Sequence, residues 1–331
     1  MEGTDPARES EARSDYGRSD GRWKSVPWAD LIATAEVDTV LGRTPVKYVE
    51  LGEGPPILLV HGLAGSWRNW LENIPALADQ HRVVAIDLPG FGESPLPRQP
   101  ISMPGYGEVV AALARDLDLG PETTLVGHSM GGLVSVEAVL GAPELFGQIC
   151  LVASAGITNL KTRRRQKEVT KRLMKAFQPF ASVDPERGFR RPRLRAARFA
   201  GVIAHPDRLD PEILWELAAY GLRAPGLLQA AYGLAGHDLR GRLTEVRQPA
   251  LLIWGTRDLL VPVGAGRSFH KRIPDSELVV LPDTGHMIQM ERSMRFNWEL
   301  TEFVAAQVPE ANRRSRPLLE APVAPLNQAE P

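Results

Sequence analysis

The chain has one cysteine, Cys150, in 331 residues. A single thiol excludes an intramolecular disulfide and any zinc site built from several cysteines. It is compatible with a reducing cytosol, and a cytoplasmic location is the expectation. An excess of charge of one sign is also missing. The 39 Lys and Arg stand against 40 Asp and Glu, a formal net charge of −1. That balance excludes a globally polycationic nucleic-acid binder, so no nucleic-acid partner is expected. No apolar run approaches the roughly 18 residues that a membrane-spanning helix needs. Where a secretory signal would carry its apolar stretch, the N-terminus carries Glu2, Asp5, Arg8, Glu9, Glu11 and Arg13, so export by that route is not expected. What remains, 43% hydrophobic and 24% charged residues, is the composition of an ordinary globular protein. The length allows two or three domains, or one large α/β domain with an insertion.

Residues 1–22 hold ten charged residues and little to bury, and read as a disordered arm. Trp23 and Trp28 are placed to pin its end to the body. Residues 309–331 hold five prolines without periodicity, and read as a disordered tail. Between them, Val37–Leu41 and Val46–Leu51 flank Gly42-Arg43-Thr44 and predict a hairpin. Six further short runs read as buried strands: Ile57–Val60, Val83–Ile86, Thr124–Val126, Ile149–Val152, Leu251–Trp254 and Leu278–Leu281. Runs that are apolar throughout suit a parallel sheet covered on both faces. Helical stripes lie between several of them. One is Tyr106, Val109, Val110, Leu113 and Leu117, stopped by Gly120-Pro121; another is Phe296, Leu300, Phe303 and Val304. This alternation implies βαβ crossovers. From about Gly156 to Arg247 no strand is evident, and the segment reads as a helical lid. The expected division is therefore a core of residues 23–155 and 248–308, with a lid of residues 156–247 inserted into it.

Gly127-His128-Ser129-Met130-Gly131-Gly132 follows one strand-like run and precedes a helix-like stretch, Leu133–Leu140. A strand-to-helix turn this tight needs small residues on both sides of a nucleophile, and Gly127 and Gly131 meet that need. A serine alcohol is a poor nucleophile until a base takes its proton and a third group orients the base. Of seven histidines, His286 in Asp283-Thr284-Gly285-His286 stands just past the last strand. Loops at the carboxyl ends of parallel strands are where such sheets present their sites. Asp258, after Trp254-Gly255-Thr256-Arg257, is the matching acid, and the chain order Ser129, Asp258, His286 fits a nucleophile-elbow enzyme. An acylation intermediate needs two donors for its oxyanion. The backbone N–H groups of Met130 and of Leu63, in the loop His61-Gly62-Leu63-Ala64-Gly65, are the candidates.

These segments, with Asp87-Leu88-Pro89-Gly90-Phe91-Gly92-Glu93-Ser94, resemble the α/β-hydrolase-fold serine hydrolases over roughly residues 35 to 306. The resemblance implies an eight-stranded, mostly parallel sheet whose first pairing is antiparallel. It implies hydrolysis through an acyl-enzyme with no metal and no cofactor. Asp87 lies in a structural turn of that family, so it is not nominated as catalytic. Relatives that open epoxides or displace halide carry a carboxylate at the elbow, and Ser129 here disfavours those chemistries. A carboxylic ester with a medium-sized, fairly apolar acyl part is the expected small-molecule substrate, and a ring-cleavage diketone cut at a carbon–carbon bond is the alternative. The Ser-Met-Gly-Gly elbow and helical lid fit the diketone reading, whereas the short His61 loop and Met287 depart from it. A ligand-binding protein with negligible turnover is a third reading.

Residues 161–198 carry fourteen Lys and Arg against Glu168, Asp184 and Glu186. Val169, Leu173, Ala176, Phe177 and Phe180 form an apolar stripe through the first half. Such a segment can be an ordinary lid helix with solvated charges, can rest on an anionic membrane surface, or can draw an anionic substrate to the site. Phe199, Leu214, Trp215, Leu217 and Tyr220 are expected either to roof an acyl pocket or to hold the lid to its core.

Overall fold

A computed structural model describes residues 15–157, 191–221 and 224–306. The apolar runs assemble into one sheet of eight strands in the order β1-β2-β4-β3-β5-β6-β7-β8. The strands are β1 Ile32–Thr39, β2 Gly42–Leu51, β3 Pro56–Val60, β4 Arg82–Ile86, β5 Thr124–His128, β6 Gln148–Val152, β7 Ala250–Gly255 and β8 Ser276–Leu281. β2 runs antiparallel to both β1 and β4, and the pairings from β4 across to β8 are all parallel. The helices are α1 Met103–Asp116, α2 Met130–Gly141, α3 Pro192–Phe199, α4 Pro211–Gly221, α5 Leu227–Gly236, α6 Val263–His270 and α7 Ser293–Ala306. Single helical turns at Trp28–Leu31, Ile74–Leu77 and Ile288–Glu291 complete the set used below.

The period of two along each strand sorts the core into two layers. Leu58, Val60, Val84, Ile86, Leu252 and Trp254 face α1 and α2, with Tyr106, Val109, Val110 and Leu113 of α1 packed on them. Ile57, Leu59, Val83, Ala85, Leu251 and Ile253 face the opposite way, onto Trp67, Trp70, Phe296 and Leu300. Both faces are covered, which is why these strands tolerate no polar alternation. α1 begins where the sequence lets it: the Ser102 hydroxyl accepts the Gly105 N–H, and Pro104 occupies a first-turn position where no N–H is needed.

Two expectations are corrected. The hairpin turn is Val40-Leu41, with Thr39 paired to Gly42, not Gly42-Arg43-Thr44. Leu41 is drawn into the core at 1% exposure, which pulls the turn forward and leaves Gly42 to open β2. The segment 15–22 is not a loose end. Tyr16 is buried, the Gly17 N–H donates to the Glu291 carbonyl at 2.9 Å, and Arg22 pairs with Asp79 at 2.9 Å. Its charges have partners on the body, which a count of charges along the arm could not reveal. Trp23 is buried and its carbonyl accepts from the Trp28 indole at 2.7 Å.

Of residues 156–247, 156–157, 191–221 and 224–247 are described, and among them no strand occurs beyond an isolated bridge between Ala200 and Ile203. Phe199 and Leu214 are fully buried beside Trp67 and Trp70, and Trp215 and Leu217 pack on the same layer, so these side chains fasten the segment to the core. The basic run from Lys161 to Arg190, its apolar stripe and the tail lie outside the described residues. Among the described residues, no helix is long and apolar enough to cross a membrane.

Candidate active site

β3 and β5 are neighbours at the centre of the sheet, and the chain leaves β3 toward β4 on one side and continues through β5 on the other. In open parallel sheets such a reversal is where ligands bind, at the carboxyl ends of the strands. Ser129 stands at that end, between β5 and α2, with φ 54° and ψ −115°. For a residue with a Cβ this conformation costs about 1–3 kcal/mol and persists only where the surroundings enforce it. They do so here. The Ser129 N–H donates to the Val152 carbonyl at 2.9 Å, and the Ser129 carbonyl accepts from Gly132 at 3.1 Å and Ala155 at 2.9 Å. The flanking glycines are required by contact. A Cβ on Gly127 would lie 2.3 Å from the Gly131 carbonyl oxygen, and one on Gly131 would lie 2.3 Å from that of Val60. α2 begins at Met130, so its positive end sits beneath the serine.

His286 and Asp258 meet at the same edge. The His286 Nδ1 is 2.7 Å from Asp258 Oδ2, and the side chains are 5% and 0% exposed. Asp258 Oδ1 accepts the N–H groups of Leu260 at 2.9 Å and Val261 at 2.8 Å. The carboxylate offers Nδ1 only an acceptor, so Nδ1 of His286 carries the proton, which leaves Nε2 as the basic nitrogen. The His286 ring lies 4.8 Å, centroid to centroid, from that of His128, the residue before Ser129. His128 Nε2 donates to the His286 carbonyl at 2.9 Å, and the His286 N–H donates to the Val202 carbonyl at 2.8 Å. Burial holds His128 well below the ordinary histidine value, so it stays neutral.

The loop after β3 comes up against the serine: a Cβ on Gly62 would lie 3.0 Å from the Ser129 Cβ. His61 fixes the direction of this loop's amides. Its Nε2 accepts the Leu88 N–H at 3.0 Å, so Nδ1 must carry the proton, which goes to the Gly62 carbonyl at 2.7 Å. The same carbonyl accepts from Gly65 at 3.1 Å. With the Gly62 carbonyl turned back into its own loop, the trans peptide points the Leu63 N–H the opposite way. Burial pushes His61 down to about 4, which keeps this tautomer neutral at physiological pH. Asp87 serves the neighbouring loop: its carboxylate accepts the N–H groups of Trp67 and Glu93, each at 2.8 Å.

The structure thus places Asp258 against His286, the His286 ring against that of His128 next to Ser129, and Gly62, the residue before Leu63, against Ser129. The other histidines do different work. His205 pairs with Asp283 at 2.9 Å, His237 with Glu137 at 2.7 Å, and His270 with the Ser276 hydroxyl at 3.0 Å. Sequence reasoning missed what His61 and His128 do, because their work lies in a tautomer and a backbone contact. It also missed Glu291, a carboxylate directly after the mostly apolar Met287-Ile288-Gln289-Met290, which is the signal that could have found it. Among the described residues, no group of His, Cys, Asp and Glu could hold a metal ion.

Residues 55–293 match the family described as alpha/beta hydrolase fold, and the chain belongs to that family. It is 32% identical over 296 residues to the dihydrolipoyllysine-residue acetyltransferase component of an acetoin cleaving system from Pseudomonas putida, covering 83% of this chain and 73% of that protein. It is 30% identical over 261 residues to a pimeloyl-[acyl-carrier protein] methyl ester esterase from Aeromonas hydrophila, covering 78% of this chain and 99% of that protein. Among solved structures it is similar to the esterase RhEst1 from Rhodococcus, with a TM-score of 0.68 and 25% identity over 83% of this chain and 99% of that one.

Proposed function

We propose that the protein hydrolyses a carboxylic ester with a medium-sized, fairly apolar acyl part, through an acyl-enzyme on Ser129. The observation that carries this reading is the buried Asp258–His286 pair at 2.7 Å, set beside a serine held in a strained strand-to-helix turn. The Ser129 hydroxyl oxygen attacks the carbonyl carbon while His286 Nε2 takes its proton. The carbonyl oxygen becomes an oxyanion that accepts from the Leu63 and Met130 N–H groups. The tetrahedral intermediate collapses, the bond to the alkoxy oxygen breaks, and His286 returns the proton to the leaving alcohol. Water then attacks the acyl-enzyme by the same route and releases the acid. Asp258 orients the imidazole and balances its transient positive charge. Residues 191–221 and 224–247 belong to a lid over this site in the same reading.

Similarity to an esterase of Aeromonas hydrophila supports the ester substrate. The test is a panel of esters and vinylogous diketones given to the wild type and to Ser129→Ala. Ester turnover in the wild type, reduced to background in Ser129→Ala, is the expected result. Bleaching of the diketones without ester turnover would replace the reading with carbon–carbon bond hydrolysis. Turnover of neither would replace it with ligand binding.

A further inference from the structure

Glu291 and Arg292 are consecutive, buried, and charged, and both hold the turn that carries His286. Glu291 Oε2 accepts the Gly285 N–H at 2.8 Å, and Oε1 accepts the Met287 N–H at 3.0 Å. The two amides that bracket His286 therefore end on one carboxylate. Arg292 takes the other side of the turn, donating to the Thr284 hydroxyl and to the Pro282 carbonyl, each at 3.1 Å. Glu291 has two further partners. The Ala204 N–H reaches Oε2 at 3.0 Å, from the stretch after α3, and the Tyr16 phenol reaches it at 2.6 Å. Three of the four donors converge on Oε2 and one on Oε1. Burial pushes the Glu291 carboxyl up, and the donors work against that.

The N-terminal segment runs alongside this pair. Asp15 pairs with Arg292, Tyr16 with Glu291, the Gly17 N–H with the Glu291 carbonyl at 2.9 Å, and the Arg18 carbonyl with the Ser293 hydroxyl at 3.0 Å. The Tyr16 oxygen also accepts the His205 N–H at 2.9 Å. One phenol thus joins three separate stretches of chain at the back of the His286 turn. Tyr16 is outside the residues that match the family, which begin at 55, so this contact belongs to a segment that the family match does not contain.

We propose that Tyr16 is a positioning residue, holding the His286 turn in place by completing the hydrogen bonding of Glu291. Its consequence for turnover rests on the reading of Ser129 and His286 given above; the anchoring itself does not. Without the phenol, a buried carboxylate keeps three donors and loses the strap that ties it to residues 15–18. The turn then samples orientations in which the imidazole is misplaced, and small misplacements of a reacting group cost up to about a hundred-fold in rate.

The test uses the full chain and two readouts on Tyr16→Phe. Amide hydrogen exchange across residues 283–290 is expected to quicken, with residues 124–128 as protected as in the wild type. For an ester substrate, kcat is expected to fall roughly ten-fold with KM within about two-fold. Glu291→Gln is expected to reproduce both changes, and adding Tyr16→Phe to it to change neither further, because residues acting through one group are not additive. Unaltered exchange in Tyr16→Phe overturns the proposal whether or not the protein turns over an ester. So do faster exchange with unaltered kcat in an active enzyme, and additive effects in the double variant. Faster exchange in a protein whose wild type has no turnover leaves the anchoring standing and sinks the reading of the site instead.

Discussion

At the scale of single residues, the site works by tautomers. Asp258 presents one oxygen to His286 and the other to two backbone N–H groups. Asp258→Asn keeps the shape but offers an amide N–H to Nδ1, which forces the proton onto Nε2 and, in the proposed mechanism, removes the base. Turnover is expected to fall about 10⁴-fold while the melting temperature moves little, measured by steady-state kinetics beside thermal unfolding. Ser129, Asp258 and His286 could be nominated from the sequence because each follows an apolar run within three residues of a glycine, and a turn at the carboxyl end of a buried strand is a local pattern; their catalytic roles are part of the proposal. Leu63 as an oxyanion donor is part of the proposal and had the weaker sequence signal. Its amide direction is set by His61, whose Nε2 is occupied by Leu88, a partner 27 residues away that no local pattern indicates.

At the scale of elements, the strands were readable because both faces of the sheet are covered, so their apolar runs are continuous. The hairpin turn was misplaced because Leu41 is chosen by the core and not by turn chemistry. The elbow depends on β3 and α2 approaching without side chains between them. Gly131→Ala puts a methyl group 2.3 Å from the Val60 carbonyl oxygen, and backbone must move to admit it. A loss of about 1–3 kcal/mol is expected, in the range of other overpacking changes, read as a lower urea midpoint. Because Val60 leads directly into the His61–Gly65 loop, turnover should fall by more than that loss of stability explains.

At the scale of the whole molecule, the segment 15–22 was hidden by its charge and proves to be part of the body. Its burial has a cost that pH can read. Burial under this segment pushes Glu72 up to about 7, with Asp210 and Asp20 adding to the rise and the Ser19 and Ser293 hydroxyls opposing it. A carboxyl that is harder to ionise in the folded state favours folding least when ionised. Its contribution is complete below the ordinary glutamate value and is lost as pH rises through about 7. Glu72→Gln should therefore match the wild type in stability near pH 4.5 and exceed it at pH 8, by about 3 kcal/mol at most. Thermal melts at the two pH values check this, and a constant difference between them would contradict it. The intact chain also permits the most direct test of the site: treat it with a fluorophosphonate, digest it, and locate the adduct by mass spectrometry. The adduct is expected on the peptide containing Ser129, with labelling abolished in Ser129→Ala and strongly slowed in His286→Ala. An adduct on another serine, or labelling that survives in Ser129→Ala, would contradict the account.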